Sequence, residues 1–287
     1  MSKKARSLVA ATLLFAALMA AGCATPETKV PAVTPAAPAP GLLELLAEAH
    51  IVDLSHAYDA ETVYWPTSPS KFELEELAYG QTEAGFFYAA NSLSTPEHGG
   101  THLDAPIHFS EGKWTTEAIP VERLMGPGVV IDVREQAAAD REYRLTPEDL
   151  AAHEAAHGVV PEGAIVMLNT GWSAFWPDAE QYLGDATRGD ASNLSFPSYG
   201  EAAARILVEE RKAGALGVDT ASIDYGPSTD FIVHQIANGA NVPGLENVTD
   251  LDRLPATGSW IVALPMKIAG GSGGPARIVA LIPRGDG

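Results

Sequence analysis

The sequence predicts an α+β or mixed α/β fold in which β-structure dominates. Short runs rich in β-branched and aromatic residues recur through most of the chain, as in GVVIDV, AIVMLNTGW and ARIVALI. Only a few segments carry helix start and stop signals, and they are scattered among those runs. With 46% hydrophobic residues the 287-residue chain has the apolar material for a core, so wholesale disorder is excluded.

At the N-terminus, Lys3, Lys4 and Arg6 precede the apolar LVAATLLFAALMA and then AAGCATP. A basic start, an apolar stretch short for a bilayer span and small residues before Cys23 resemble a bacterial lipoprotein signal, with Ala20 where leucine is commoner. The expected signal is 1–22, cleaved so that Cys23 is lipidated. The chain is then exported and held at the cell envelope by its lipid, on the outer membrane or a periplasmic face. An ordinary signal peptide or membrane anchor would export it equally. Residues 23–40, ending in TPETKVPAVTPAAPAP, read as a Pro/Ala-rich tether. The folded domain is expected over 41–287. Cys23 is the only cysteine, so that domain has no thiol for disulfides, nucleophilic catalysis or thiolate ligation. The net charge of −19 offers no basic patch, which argues against a nucleic-acid partner.

Within the domain, GLLELLAEAH reads as a short helix and IVDLSHAY as a strand. KFELEELAY and FFYAANSLS alternate as strands do, and GVVIDV and AIVMLNTGW read as buried strands. TPEDLAAHEAAHG has Thr146 as N-cap and Pro147 at the first helical position, and stops at Gly158. SYGEAAARILVEERKAG pairs Ser198 with Glu201 as a capping box and ends at Gly214. ALGVDT is a further buried strand, STDFIVHQIANG a short helix capped by Ser228 or Thr229, and WIVALPM and ARIVALI are closing strands.

HGGTHLDAPIHF, His98 to Phe109, gathers histidines and an aspartate in one short segment. Imidazole and carboxylate are the ligands of choice for Zn²⁺, Mn²⁺ or Fe²⁺ where thiolate is lacking. His102 and Asp104, two apart, share one face of an extended chain about 6–7 Å apart at the backbone, so both reach one ion. His98 and His102 would stand roughly 13 Å apart in a straight strand. Gly99, Gly100 and Pro106 oppose a helix, so the segment must bend, and the two glycines are the place for it. This spacing permits a metal site without forcing one. HQIANGANVPGLE offers His234 and Glu246 for the same ion, although His234 alone reads more readily as a partly buried histidine. HEAAH, His153 to His157, matches the H-E-x-x-H pattern of zinc proteases on a predicted helix. No third ligand follows closely, and the helix dipole favours histidines at a C-terminus, so we read the match as coincidence.

HGGTHLDAPIHF resembles the H-x-G-T-H-x-D-x-P-x-H-F signature of the metal-dependent cyclase-like hydrolases, which include bacterial kynurenine formamidase and isatin hydrolase. VDLSHAY and YWPTSP before it, and LNTGW, VDTASIDYGPSTDFIVHQ, GLENV and LPMKIAGGSGGPARIVALI after it, extend the resemblance from about Val52 to the C-terminus. It implies a swivelling β/β/α cyclase-like single domain. It implies His98, His102 and Asp104 as metal ligands, His108 as general acid/base, and His234 with Glu246 completing a two-metal site. TASIDYGPSTDF and GGSGGP resemble the isatin hydrolase branch more than the formamidases. The implied activity is therefore hydrolysis of a cyclic aromatic amide, isatin to isatinate, by metal-activated water with His108 moving the proton. N-formylkynurenine formamidase is the alternative, and a non-catalytic envelope lipoprotein binding a ligand or metal is a further one.

Isatin hydrolases are described with Mn²⁺ and formamidases with Zn²⁺, and an all-N/O ligand set admits both. A flat aromatic substrate calls for an apolar wall, for which Trp65, Phe86 and Phe87 are candidates by position in the chain. Ser222, in a loop after a buried strand, is a candidate donor to a substrate carbonyl. The implied partners are a small aromatic amide, the membrane through the lipid anchor, and further copies of the chain as a homo-oligomer.

Overall fold

The computed structural model describes residues 47–283. The expected signal, Cys23, the tether and most of the GLLELLAEAH helix lie outside the described residues. Among the described residues no helix is long and apolar enough to cross a membrane.

Twelve strands follow one another in the described residues: β1 (His50–Asp53), β2 (Glu73–Gln81), β3 (Phe87–Ser94), β4 (His102–Asp104), β5 (Met125–Asp132), β6 (Arg144–Leu145), β7 (Ile165–Asn169), β8 (Ser198–Tyr199), β9 (Ala215–Val218), β10 (Gly244–Glu246), β11 (Thr257–Pro265) and β12 (Gly273–Ile282). Eight form the main sheet in the order β1-β12-β11-β5-β7-β9-β10-β4. The start of β12 pairs with β4 as well, so the sheet closes on itself like a barrel. β5, β7, β9 and β10 run parallel and the remaining pairings are antiparallel. This is the expected mixed, β-rich α/β domain.

Strand alternation sorts the apolar residues into two cores. Val129, Ile131, Val166, Leu168, Leu216 and Val218 pack with residues of the helices Pro147–His157, Glu201–Arg205 and Ile232–Gly239. Val130, Ile165, Met167 and Ala215 turn the other way and meet Leu103, Leu245, Ile261 and Ile278 inside the closed sheet. β7 lies between the two cores and is buried along its whole length, which is why it reads as an unbroken apolar run.

Thr146 caps its helix as expected, with Asp149 answering it in a capping box. Two other expected caps are corrected. Ser198 lies in β8 beside β6, and its hydroxyl donates to the Ser222 carbonyl. Gly200 is the N-cap there, without a side-chain bond, and the helix passes into a π-turn that ends at Glu210, short of Gly214. The helix Ile232–Gly239 begins after neither Ser228 nor Thr229 but after Phe231, whose backbone is left-handed. The Asp224 carboxylate accepts the Val233 and His234 amides, and the Ser228 hydroxyl accepts the Phe231 amide.

Among the described residues β2 and β3 pair only with each other and stand apart from the barrel sheet. Leu74, Leu77, Tyr79, Phe86 and Phe87 on or beside this hairpin are all more than half exposed.

Candidate functional site

The site begins where the chain enters β4. Gly99 and Gly100 both have positive φ, +142° and +58°, and supply the expected bend. Both also lie under aromatic rings. A Cβ on Gly99 would fall 2.1 Å from the Tyr64 ring, and one on Gly100 would fall 2.6 Å from the Tyr58 ring. The Tyr58 hydroxyl sits 2.7 and 2.8 Å from the carbonyls of Gly99 and Thr101, which fixes the bend.

Beyond the bend, β4 points His102 and Asp104 to one side while Leu103 joins the barrel core. His102 is paired in register with Glu246 on β10. The helix Ile232–Gly239 brings His234 from a third direction, and the bend returns His98. Asp104 becomes the shared corner. Its Oδ1 lies 2.6 Å from His98 Nδ1 and 3.2 Å from His102 Nε2, and its Oδ2 lies 3.0 Å from His234 Nε2. Glu246 reaches His102 Nε2 at 3.5 Å and His234 Nε2 at 3.2 Å. His108 stacks on the His98 ring with centroids 3.8 Å apart. The ligand atoms of His98, Asp104 and His108 lie within 4.8 Å of one another, as do those of His102, Asp104 and Glu246.

His102, Asp104, His234 and Glu246 are buried. Burial pulls the Asp104 carboxyl upward, but the charges of His102, His98 and His108 outweigh it and hold the group well below the carboxylate range. Glu246 is raised, by burial first and then by Asp104. Burial would lower His102, yet Asp104 and Glu246 lift it to about 9. Burial pushes His108 down to about 4, with Asp104 resisting and His98 adding to the fall. Two buried carboxylates thus gather positive charge around them, which is the electrostatic setting of a cation site. His102 Nε2 is buried with no hydrogen-bond partner. An orphaned nitrogen among carboxylate oxygens and imidazoles fits a divalent metal with N/O preference.

A cavity of about 390 Å³ opens onto this cluster. Its walls include Tyr64, Trp65, Phe109, Phe231 and Ser222, and no lysine or arginine is among its described lining residues. Phe231 stands 5.1 Å from Phe109 and 6.2 Å from Trp65, centroid to centroid. The Ser222 hydroxyl accepts the Asp224 amide, which leaves its hydrogen available.

The structure therefore brings together His98, His102, Asp104, His108, His234, Glu246, Trp65 and Ser222. Phe86 and Phe87 are not brought in: they sit exposed on the β2–β3 hairpin, and within one chain they do not line the cavity. Tyr64, Phe109 and Phe231 form the wall instead. Asp224, which holds His234 Nδ1 at 2.7 Å, had no expected role. A carboxylate just upstream of a helix start was the available signal. The HEAAH pattern is accounted for without metal. Glu154 is held by the Arg211 guanidinium at 2.6 and 2.9 Å, and neither histidine lines the cavity.

The Cyclase family profile, described as "Putative cyclase", matches residues 52–225. The isatin hydrolase of Roseibium aggregatum is 31% identical over 84% of this chain and 94% of its own. The kynurenine formamidase of Salinibacter ruber is 26% identical over 80% of this chain and 96% of its own. A solved isatin hydrolase bound to the product analogue thioisatinate superposes with a TM-score of 0.75 at 30% identity, covering 83% of this chain and 94% of that one.

Proposed function

The chain belongs to the cyclase family, and from that premise we propose that it hydrolyses the C–N bond of a neutral cyclic aromatic amide, opening isatin to isatinate. The observation that carries this reading is the cavity, aromatic along its wall, with no lysine or arginine among its described lining residues and floored by the Asp104 cluster. An amino-acid substrate such as N-formylkynurenine carries a carboxylate that a lining arginine or lysine would hold. A neutral lactam needs none.

His98, His102, Asp104, His234 and Glu246 would hold the divalent metal, Mn²⁺ or Zn²⁺. When bound, the metal supplies Lewis acidity toward the amide carbonyl and a water of lowered pKa. Trp65, Phe109 and Phe231 hold the flat ring and exclude bulk water. The Ser222 hydroxyl donates to the carbonyl beside the amide. His108, kept neutral by burial, takes a proton from the attacking water and returns it to the departing amide nitrogen. The C–N bond breaks, one water is consumed, and the products are a carboxylate and an aryl amine on one molecule, with one proton released from the new carboxyl group.

The exposed apolar hairpin supports a homo-oligomer in which β2 and β3 are covered by another copy. Light scattering of the chain and of Leu77→Glu tests this, a dimer or larger species being expected for the first alone. The N-terminal pattern supports export and lipidation at Cys23, which a labelled fatty acid would report and Cys23→Ala would abolish.

The deciding experiment strips the full chain of metal, reloads it separately with Mn²⁺ or Zn²⁺, and follows isatin absorbance alongside formate release from N-formylkynurenine. Metal-restored isatin opening is the expected result. Formate release in its place would move the activity to the formamidase side. Turnover of neither would favour the non-catalytic binding reading.

A further inference from the structure

His98, His102 and His234 each commit one ring nitrogen to an outer partner, and the direction of that bond decides which nitrogen faces the centre. His102 turns Nδ1 to the Gly100 carbonyl at 2.9 Å, and His234 turns Nδ1 to Asp224 Oδ2 at 2.7 Å. Those oxygens only accept. Both rings therefore carry hydrogen on Nδ1 and present Nε2 to Glu246. His98 is the exception. It faces Asp104 with Nδ1 at 2.6 Å, where a hydrogen on Nδ1 would suit the carboxylate until a metal takes that lone pair, and its Nε2 lies 2.9 Å from Ser272 Oγ. A hydroxyl both donates and accepts, so by itself it leaves the tautomer open. Glu97 closes the choice. Its Oε2 lies 2.6 Å from Ser272 Oγ and 3.0 Å from the Ser272 amide. A carboxylate so placed takes the hydroxyl hydrogen. Ser272 Oγ then has only lone pairs to offer, and His98 must donate from Nε2.

We propose that Glu97 and Ser272 are positioning residues that lock His98 in its Nε2–H tautomer and so make Nδ1 its metal-facing atom. This rests on the reading of His98 as a ligand. Glu97 immediately precedes His98 in the bent loop, while Ser272 stands just ahead of β12, whose residues Gly273 to Pro275 pair with β4. The approach is close on both sides. A Cβ on Gly271 would fall 2.8 Å from Glu97 Oε1, and one on Gly273 would fall 2.6 Å from His98 Cε1. The glycines of this turn thus make room for the serine to lie between the carboxylate and the imidazole. The strand that closes the barrel also orients a ligand at its mouth.

The test uses the full chain loaded with Zn²⁺, which is diamagnetic, with isotope-labelled histidine ring nitrogens read by NMR. In the parent, His98 carries its hydrogen on Nε2. Ser272→Ala weakens Zn²⁺ binding by about ten- to a hundredfold in competition with a chromogenic chelator, and Ser272→Thr stays within about threefold. Glu97→Ala frees the serine hydroxyl to donate to Nε2 and lets the His98 hydrogen settle on Nδ1, which costs that ring its bond to Zn²⁺, whereas Glu97→Gln keeps an acceptor oxygen and the parent tautomer. A merely structural role would leave the tautomer unchanged in every variant. The proposal is overturned if the parent His98 carries its hydrogen on Nδ1, or if Ser272→Ala and Glu97→Ala bind Zn²⁺ as the parent does. A parent that takes up no Zn²⁺ would remove the metal reading itself, and this proposal with it.

Discussion

His102 and Glu246 face each other in register across β4 and β10, with Nε2 and Oε2 3.5 Å apart. Strand pairing, and not local spacing, therefore sets that edge of the cluster. A slip of one residue would turn one of the two into the barrel core.

Because Glu246 is buried beside Asp104, replacing it with glutamine separates metal binding from folding. The amide oxygen can still accept the Ile223 amide, which now bonds Glu246 Oε1 at 2.9 Å. The second buried charge is gone. Divalent-metal affinity is expected to fall about ten- to a hundredfold, while the metal-free protein melts no lower than the parent because carboxylate repulsion is relieved. Chelator competition and thermal melts in excess chelator check both halves. A lower melting temperature without metal would contradict the electrostatic account.

His108→Ala should keep the metal and lose turnover. The ring stacks on His98, so its removal opens space beside the Asp104 cluster, and His98, His102, Asp104, His234 and Glu246 stay in place. A lost proton carrier costs about 10²- to 10⁴-fold in kcat. Metal content by elemental analysis, alongside isatin turnover, decides the matter. Full activity would remove the acid/base role from His108.

Phe231 holds a left-handed backbone, φ +51°, that a bulky side chain adopts at a cost of roughly 1–2 kcal/mol. Its ring meets Phe109 and Trp65 over the cavity. Phe231→Gly relieves the backbone and loses the ring, so its stability should stay within about 1 kcal/mol of the parent. Phe231→Ala loses the ring and keeps the strain, and should be less stable than the glycine variant by about 1 kcal/mol. Both variants should show a KM for isatin raised roughly tenfold with kcat less affected. Denaturant titrations rank the two variants, and an alanine variant as stable as the glycine one would dismiss the strain.

What could be read beforehand follows from which contacts are local. His102 and Asp104 on one face, and a bend at Gly99 and Gly100, follow from two-residue alternation and glycine freedom, and the structure has both. HQIANGANVPGLE offered His234 and Glu246 as candidates from residue type alone, but only the family resemblance made them expected ligands, since nothing in their spacing carries a helix or strand back to Asp104. Asp224 and Ser272 were not singled out because a lone polar residue in a loop looks like a turn residue until its distant partner is known. Phe86 and Phe87 do not reach the cavity of their own chain for a physical reason: an apolar pattern implies burial, but among the described residues the β2–β3 hairpin has no layer against it. Ser198 looked like a cap, yet pairing of β8 with β6 drew it into a strand.

His56 supplies a pH dependence outside the metal cluster. Its ring stacks on Trp176 at 4.1 Å and its Nε2 is buried without a partner. Burial lowers its pKa from 6.5 to about 4, with Asp250 opposing. The folded-state value lies below the unfolded one, so between those values the unfolded chain binds the proton more readily. The stability of the neutral ring is complete above about pH 6.5 and is lost as pH falls toward 4. His56→Phe keeps the stacking and removes the titrating nitrogen. Between about pH 7.5 and pH 4.5 the parent should lose about 1–2 kcal/mol more than this variant, after discounting for the ring's partial exposure. Urea titrations of both chains at the two pH values, with chelator present so that metal release is common to neither, measure the difference. Equal losses would mean that His56 takes up its proton in the folded protein as easily as in the unfolded chain, and that the bare Nε2 finds a partner when charged.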